Sequence, residues 1–323
     1  MGYLYAAITV FSYGSNVFLL VIYVKSPLLW TPFYSYLISL AVLDLLKSCT
    51  VNIMQVSNYL QFHWVFGNEL CILFLFCSQS IGVSIIYLHL LICVNRLWAV
   101  MSPFSYRAKH KHKLAIGLIM SVTIMANIST IPIYTGDGTS DIRSRAPVLR
   151  HLCIYQFGAK PSLYFLTLGA LTHPVPHGLI MLLYPIIVWK VRSTVRQMQS
   201  VFASGQNPSF TLHVSLDTSE EQVRIRGTHN KHKHILREAK RYFGVLTILF
   251  VSSFLFWTPG NVARSVMVTS PVVDIRVLAV TDFLFAMDCT INPLLCLASS
   301  TEWRHAAISV LNNIRRSEVQ QAC

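Results

Sequence analysis

Charged residues are scarce in this sequence. Asp, Glu, Lys and Arg together make up 12 % of its 323 residues, whereas soluble domains contain about 25 %. The deficit is uneven, because no Asp, Glu, Lys or Arg occurs between Cys71 and Asn95. A run of roughly 20 apolar residues is long enough to cross a bilayer as a helix. The composition, with a mean hydropathy of +0.52, therefore excludes an ordinary soluble domain and predicts a membrane protein.

Other missing features narrow the class of membrane protein. The sequence has no HExxH motif and no pair of catalytic carboxylates on one segment, which argues against an intramembrane enzyme. It has no inverted repeat and no paired broken segments, so a transporter or channel is the less favoured alternative. His173 and His177 have a metal-compatible spacing, but a third ligand is missing. We therefore expect no enzymatic activity, no metal and no cofactor.

What the sequence does contain is seven long apolar runs. They are too long and too uniformly apolar for the alternating strands of a membrane barrel, and helices satisfy their own backbone in lipid. They predict an all-α fold, a seven-transmembrane helix bundle that occupies residues 1–300. We call the runs segments one to seven, with approximate ranges 3–24, 33–60, 71–100, 114–134, 162–189, 236–266 and 277–300.

Two stretches between and after the segments have a different composition. The loop 191–233 is polar, Ser-rich and of mixed charge, which predicts a partly disordered cytoplasmic loop. The stretch 301–323 begins with TEWRHAAISVLNNIRR, whose apolar residues fall on one helical face. This pattern predicts an amphipathic C-terminal helix on the inner leaflet, followed by a short tail.

The distribution of basic residues predicts the orientation. Most of the 26 Lys and Arg residues lie on the side that carries Lys25, the loop 107–113, the loop 191–233 and the tail. Basic loops remain in the cytoplasm, so the N-terminus is predicted outside and the C-terminus inside, in the plasma membrane. The net charge of +13 then reflects contact with anionic lipids of the inner leaflet. Nucleic-acid binding is not expected.

Six short motifs occur in a fixed order from Gly14 to about Arg304. They read GSNVFLLVIYV, TPFYSYLISLAVLDLL, WVFGNELC, NRLWAVMSPFSYR, FWTP and DCTINPLLC. Each motif alone is weak evidence. Together and in this order, the six resemble the motifs of the rhodopsin-like G-protein-coupled receptors. The sequence resembles a divergent, orphan-like member of that family, such as an invertebrate neuropeptide receptor. The resemblance implies a receptor that binds an extracellular ligand and activates a heterotrimeric G protein.

The resemblance also assigns roles to single residues. Cys71 and Cys153 are similar to the family's outer disulfide, which an oxidising exterior favours over two free thiols. The residues expected to couple to the G protein are Asn95, Arg96, Tyr184 and Glu238. The residues expected to form the activation switch are Trp257, Pro259, Asn292, Pro293 and Cys296.

Three residues depart from the family pattern. Asn95 stands where an acidic residue usually precedes the arginine, Leu97 replaces a tyrosine, and Cys296 replaces the tyrosine of the seventh motif. Asn95 can hydrogen-bond Arg96 but cannot form an ion pair, which leaves Glu238 as the best carboxylate partner. One hypothesis is a loosely locked resting state with raised basal signalling. The alternative is a receptor-like protein that no longer signals.

A polar pocket is expected within the bundle. By resemblance it contains Asn16, Asp44 and Asn292, and Asp288 replaces the usual asparagine at a place where the family holds a sodium ion. Asp44 and Lys47 are three residues apart and share a helix face. Lys47 therefore either supplies a tethered cation to Asp44 and Asp288 or faces a wet ligand cavity, and the sequence favours neither.

The class of ligand is constrained by what the segments lack. Amine receptors of this family carry an aspartate where this sequence has Ser78, and no lysine for retinal occurs from Val277 to Ser300. Arg264 can bind a carboxylate and Asp282 a basic group, a mixture that favours a peptide. The predicted ligand-binding residues are Ser78, Gln79, His173, Trp257, Asn261, Arg264 and Asp282.

Overall fold

The computed structural model describes residues 2–61, 64–135, 153, 163–203, 247, 250–263, 266 and 275–322. Over these residues the regular structure is helical, with no strand. Six of the described helices are long and apolar enough to cross a membrane. They are Gly2–Lys25, Pro32–Gln61, Gly67–Met101, His112–Ile131, Pro174–Ser193 and Ala279–Ala298. The prediction of an all-α protein that crosses the membrane several times is therefore confirmed.

Segment three lies at the centre of the bundle. It is a single helix of 35 residues, Gly67–Met101, and every residue from Ser80 to Ile86 is buried. A helix with only one buried face would alternate burial with exposure, so neighbours surround this helix on all sides. Cys71 lies near its first residue and Arg96 near its last. We call the corresponding ends of the bundle the disulfide end and the arginine end.

Segment two contains a feature that the sequence analysis did not predict. Its helix begins at Pro32, where the Thr31 hydroxyl accepts a hydrogen bond from the Tyr34 backbone N–H at 3.3 Å. Proline at the first helical position and threonine as the cap both favour this start. The α-helix Pro32–Lys47 is followed by a π turn, Ser48–Asn52, and then by Ile53–Gln61. A π turn places one extra residue in the helix.

Segment five is longer than predicted. It consists of two helices, Leu163–Thr172 and Pro174–Ala203, separated where Pro174 removes a backbone donor. The second helix continues past Val191, so the first part of the predicted loop 191–233 is helical. The sequence explains this extension, because no Gly or Pro occurs between Val191 and Ala203 and either would have favoured an earlier end.

The remaining helices agree with the predicted order. Segments one, four and seven are Gly2–Lys25, His112–Thr135 and Ile275–Ser299. The short helix Pro103–Lys109 follows segment three, and we call it the loop helix. Segment six, predicted at 236–266, is described as a helix over 250–263. The predicted site residues Glu238 and Arg264 lie outside the described residues.

The predicted C-terminal helix is present as Thr301–Ala322. Its face toward the bundle buries Trp303, Ala306 and Val310. The Trp303 ring stacks on Tyr23 with ring centroids 6.4 Å apart and meets Tyr34 edge-on at 5.6 Å. This helix is therefore attached to the first two segments by aromatic contacts rather than by its chain connection alone.

Candidate functional site

A cysteine pair ties segment three to the chain before segment five. Cys71 and Cys153 form a disulfide across a sequence separation of 82 residues, with Cα atoms 5.7 Å apart. Cys71 belongs to segment three, and Cys153 precedes segment five. The pair that the sequence predicts is present in the structure.

Two buried carboxylates occupy the middle of the bundle. Asp44 and Asp288 are both 0 % exposed. The Asn292 side-chain amide donates to Asp44 Oδ2 at 3.2 Å and to Asp288 Oδ2 at 3.3 Å. Asp288 also accepts from Trp257 Nε1 at 2.8 Å and from Ser252 Oγ at 3.0 Å. We call these five residues the carboxylate cluster, and they connect segments two, six and seven.

Asn16 reaches this cluster only indirectly. Its side-chain amide donates to the Cys289 carbonyl at 3.0 Å and to the Ser12 carbonyl at 2.9 Å. The Ser12 hydroxyl hydrogen-bonds the Ser48 hydroxyl at 2.9 Å, and Ser48 donates to the Asp44 backbone carbonyl at 2.8 Å. Asn16 therefore binds the backbone of segment seven, whereas the resemblance implied a closer association with Asp44 and Asn292.

Lys47 is buried beside the carboxylate cluster, and its role as a tethered cation for Asp44 and Asp288 stays a prediction. It is only 7 % exposed, so it does not face a wet cavity. Its ammonium lies 5.9 Å from the centroid of the Trp257 ring and 5.6 Å from that of Phe285, which is within cation–π range. Within the described part of the chain, it forms no salt bridge with Asp44 or Asp288. The charge is thus placed against aromatic rings beside the carboxylates.

Gly260, which follows Pro259, leaves the space that the Phe285 ring occupies. Phe285 approaches Gly260 so closely that a Cβ atom there would overlap the ring. The Phe285 and Trp257 ring centroids are 4.9 Å apart. Any larger residue at position 260 would displace the ring that contacts Lys47.

Arg96 at the arginine end also contacts an aromatic ring. It is 6 % exposed, and its guanidinium carbon lies 3.1 Å from the centroid of the Phe33 ring on segment two. The side-chain amide of Asn95, the residue before it, donates to the Tyr106 hydroxyl at 3.4 Å. The reason is the loop helix, which brings Tyr106 back over the end of segment three.

A group of aromatic side chains surrounds this end of segment three. Tyr36 and His110 share a hydrogen bond of 3.0 Å between the hydroxyl and Nε2. His110 stacks on Tyr106 with ring centroids 4.4 Å apart, and Trp98 meets Tyr106 edge-on at 5.4 Å. Phe33, Tyr36, Trp98, Tyr106 and His110 form what we call the aromatic cluster.

The aromatic cluster holds His110 in a setting that disfavours its charged form. The pKa of His110 is lowered from its ordinary value, first by burial and then by the positive charges of Arg96 and His112. The sequence analysis missed His110. The available signal was its position directly after the loop helix, four residues beyond Tyr106, since residues four apart are neighbours at a helix surface.

The structure also describes Tyr184, predicted to couple to the G protein, and the predicted switch residues Pro259, Pro293 and Cys296. Tyr184 of segment five is buried, and its ring stacks on Phe250 of segment six with centroids 4.0 Å apart. Pro293 lies inside a helix that continues to Ser299, and Pro259 lies inside the helix 250–263. Cys296 is buried.

Five of the predicted ligand-binding residues lie toward the disulfide end, whereas Trp257 belongs to the carboxylate cluster and Arg264 lies outside the described residues. Asp282 accepts from the Gln55 amide at 3.1 Å and from the Tyr59 hydroxyl at 3.1 Å, which joins segments seven and two. His173 is buried and faces segment three, since its Cε1 is 3.8 Å from the position a Cβ atom would take on Gly82. Ser78 and Gln79 are partly buried on segment three, and Asn261 is buried.

A comparison with known families identifies the class. The model of the family described as "7 transmembrane receptor (rhodopsin family)" matches residues 15–295. The chain belongs to this family. Its members are receptors rather than enzymes, in agreement with the absence of a catalytic motif.

Individual relatives of this receptor are distant. "5-hydroxytryptamine receptor 2" of Aplysia californica is 21 % identical over 84 % of the chain and 65 % of the relative. "Probable G-protein coupled receptor 174" of Homo sapiens is 28 % identical over 53 % of the chain and 50 % of the relative. "Alpha-2B adrenergic receptor" of Didelphis virginiana is 28 % identical over 39 % of the chain and 34 % of the relative. The match thus covers less than two thirds of the length of each of these relatives.

Some of the predicted residues meet in one cluster, whereas Asp282 contacts residues that were not predicted. Asp44, Asp288, Asn292 and Trp257, predicted under two separate roles, form a single cluster. Asp282 binds Gln55 and Tyr59, neither of which was predicted. Their spacing of four residues is the pattern that indicates two polar groups on one helix face.

Proposed function

We propose that this receptor binds an extracellular ligand at the disulfide end and activates a heterotrimeric G protein at the arginine end. In this proposal it spans the plasma membrane with the N-terminus outside and the C-terminus inside. The observation that carries the proposal is the carboxylate cluster. Its hydrogen bonds connect Trp257 of segment six with Asn292 of segment seven and Asp44 of segment two, between the two ends.

The carboxylate cluster supplies a means of linking the ends. A ligand that displaces Trp257 weakens the hydrogen bond from its indole N–H to Asp288. A buried acceptor that loses a donor is costly, so Asp288 and Asn292 rearrange together, and segment six changes its packing. At the arginine end, Phe250 then slides from the Tyr184 ring, and Arg96 becomes accessible to a G protein. The receptor thus has two arrangements, before and after the displacement of Trp257, and the ligand favours the one that it binds more tightly.

A peptide is the proposed class of ligand. Asp282 is an acceptor held by two neutral donors, Gln55 and Tyr59, and it can bind the amino terminus or a basic side chain of a peptide. Ser78 provides no carboxylate on segment three. The polar residues at this end are spread over segments two, three, five, six and seven, an arrangement that suits a ligand with several separate polar groups.

A biogenic amine is the second candidate. Two of the relatives are named as receptors for 5-hydroxytryptamine and as adrenergic, and Asp282 is an anionic partner for an amine. The two candidates differ in how much of the site they need. An amine relies on Asp282 alone for its charge, whereas a peptide retains contacts elsewhere when Asp282 is changed.

The experiment that tests the function measures second-messenger output in cells that carry a promiscuous G protein. Parent and Arg96→Ala are compared without ligand and then against a library of neuropeptides and biogenic amines. We expect signal in the parent and none in Arg96→Ala at equal surface expression. Silence of the parent, with surface expression confirmed, would favour a receptor-like protein that no longer signals.

The same assay distinguishes the two ligand classes. Once a ligand is found, Asp282→Asn is expected to lower the potency of a peptide by about tenfold, which corresponds to the loss of one charge-assisted hydrogen bond. For an amine, the same change is expected to abolish the response. A response unaffected by Asp282→Asn would exclude Asp282 from the site for either class.

A further inference from the structure

One cation in the middle of the bundle contacts rings of two other segments. Lys47, on segment two, is 7 % exposed. Its ammonium lies 5.9 Å from the centroid of the Trp257 ring on segment six and 5.6 Å from that of the Phe285 ring on segment seven. Both rings are buried, and a cation–π contact is stronger where water is excluded. A single ammonium therefore connects three membrane-spanning segments.

Trp257 contacts a cation and an anion at the same time. The face of an aromatic ring is its negative region, and the edge is its positive region. Lys47 lies over the face, and the N–H at the edge donates to Asp288 Oδ2 at 2.8 Å. The indole thus lies between opposite charges, and its polarisation by each of them strengthens its contact with the other.

Both contacts depend on one orientation of the Trp257 side chain. A rotation that takes the N–H away from Asp288 also takes the ring face away from Lys47. The first change leaves a buried acceptor without a donor, and the second leaves a buried cation without its attractive surface. Lys47 therefore adds to the free energy that is needed to move Trp257.

The second ring limits the movement of Trp257 further. Gly260 lies three residues after Trp257, so both occupy one side of segment six. A Cβ atom at Gly260 would overlap the Phe285 ring, and the Phe285 and Trp257 centroids are 4.9 Å apart. The ammonium and the two rings lie within 6 Å of one another, so Trp257 cannot rotate without disturbing the other two groups.

Lys47 also acts on the carboxylates without forming a direct salt bridge to them in the described part of the chain. Lys47 and Asp44 are three residues apart on one helix face, and their charges attract each other. Asn292 donates to both Asp44 and Asp288, so the two carboxylates share this positive neighbour. The buried negative charge of the cluster is thereby offset through space at Asp44 and through the indole at Asp288.

We propose that Lys47 is a built-in counter-ion that holds Trp257 in its resting orientation. It is a positioning residue, because it acts through Trp257 and not on a ligand. Its effect on signalling rests on the function proposed above. Its effect on the charge of the carboxylate cluster does not, and this effect can be measured in a receptor that does not signal.

Three variants separate the charge of Lys47 from its size. Lys47→Met removes the charge and keeps a long, unbranched side chain. Lys47→Arg keeps a cation that also binds ring faces. Lys25→Met is the matched control, because Lys25 is exposed in the last turn of segment one and its replacement removes the same charge far from Trp257.

The first measurement is basal second-messenger output at equal surface expression. Lys47→Met is expected to raise this output about tenfold, because the loss of one buried cation–π contact shifts the equilibrium between the two arrangements. Lys47→Arg and Lys25→Met are expected to stay within about twofold of the parent. If Lys47→Met signals and Lys47→Arg matches its output, the charge does not hold Trp257, which overturns the proposal. Silence of all four proteins would count against the proposed function, and the next measurement then decides the role of Lys47.

The second measurement is the melting temperature of the purified receptor in NaCl and in choline chloride at equal ionic strength. Lys47→Met leaves Asp44 and Asp288 without their neighbouring cation, and Na⁺ is small enough to replace the ammonium, whereas choline is not. Lys47→Met is therefore expected to melt about 3 °C or more higher in NaCl. The parent, Lys47→Arg and Lys25→Met should melt at the same temperature in both salts.

Two results of this measurement would overturn the proposal. If Lys47→Met gains nothing from Na⁺, the cluster does not need the charge of Lys47. If the parent itself gains about 3 °C or more, the cluster accepts a free cation beside the lysine, so Lys47 is not its counter-ion. The second result is decisive even if Lys47→Met does not fold.

Discussion

The aromatic cluster and the carboxylate cluster hold buried charge by different means. At the arginine end, the cation of Arg96 lies on the face of Phe33, and the surrounding rings are joined by stacking and one hydrogen bond. In the middle of the bundle, Asp44 and Asp288 receive hydrogen bonds from an amide, an indole and a hydroxyl. An aromatic face therefore meets the charge in one cluster, and neutral hydrogen-bond donors meet it in the other.

The two arrangements differ in how much movement they tolerate. Hydrogen bonds weaken steeply when their geometry departs from linear, so the donors around Asp288 fix its position closely. A cation above a ring retains attraction over a range of positions within about 6 Å. The carboxylate cluster is therefore the rigid part and the aromatic cluster the adjustable part, although both include residues of segment two.

The largest effect is expected from removing the central acceptor. Asp288→Ala leaves the Trp257 indole and the Ser252 hydroxyl without this acceptor, which costs about 2 kcal/mol or more. We expect a clearly lower melting temperature of the purified receptor. Asp288→Asn keeps one acceptor oxygen for Trp257. Its melting temperature should lie between those of Asp288→Ala and the parent. Equal melting temperatures for Asp288→Ala and the parent would show that the cluster does not hold the bundle together.

The next largest effect is a fall in basal signalling when a negative charge is added next to the aromatic cluster. Asn95→Asp places a carboxylate beside Arg96, and a charge-assisted hydrogen bond of about 1.5 kcal/mol or more should lower basal signalling about tenfold. Asn95→Ala removes the bond to Tyr106 without adding charge and serves as the control. The hypothesis of a loosely locked resting state fails if basal output in Asn95→Asp equals that of the parent.

A smaller effect is expected from removing the ring beneath Arg96. Phe33→Leu keeps an apolar side chain but eliminates a cation–π contact, which contributes about 0.5–2 kcal/mol depending on exposure, so basal signalling should rise about threefold or more. Phe33→Tyr keeps the aromatic face and should behave as the parent does. The contact has no restraining role if the leucine and tyrosine variants give the same basal output.

The smallest predicted effect is a loss of stability at low pH that is caused by His110. Because its pKa is lowered in the folded receptor by burial, Arg96 and His112, the unfolded chain binds a proton more readily. Its contribution to stability is therefore complete above the ordinary histidine pKa, about 6.5, and declines as the pH falls from there through the folded-state pKa. Tyr36 and Tyr106 also contact His110.

The measurement is the melting temperature of the receptor at pH 7.5 and pH 5.5, compared with that of His110→Gln. Glutamine can hydrogen-bond Tyr36 but does not titrate, so other titrating groups cancel in the comparison. The parent should lose a few more degrees than the variant between the two pH values. A loss of the same size in both proteins would exclude His110 as the group responsible.

Much of the fold was predictable because membrane spans leave a strong signal in the sequence. Apolar runs located the helices, and the motifs identified Arg96, Asp44 and Asp288, whose charge is conspicuous in an apolar segment. The roles assigned to these residues remain predictions. The disulfide between Cys71 and Cys153 was predicted from the chemistry of the exterior and is present.

What the sequence did not reveal were contacts between ordinary residues far apart in the chain. Phe33 and Tyr36 lie on segment two, whereas His110 follows the loop helix. An aromatic residue in an apolar run has no feature that marks it as a partner of Arg96. The placement of Lys47 against Trp257 and Phe285 was missed for a related reason. Spacing identifies the face of a helix, but the neighbouring helix decides whether that face meets a carboxylate or a ring.

The π turn Ser48–Asn52 has a consequence for how such receptors can diverge. Each residue in an α-helix advances the direction of the side chains by about 100°, so one extra residue rotates everything beyond it. Asp44 lies before the turn, whereas Gln55 and Tyr59, the partners of Asp282, lie after it. Deletion of a single codon here would turn these two side chains away from segment seven and leave Asp44 unchanged. Ligand preference could thus be altered in one genetic step while the centre of the bundle is inherited intact.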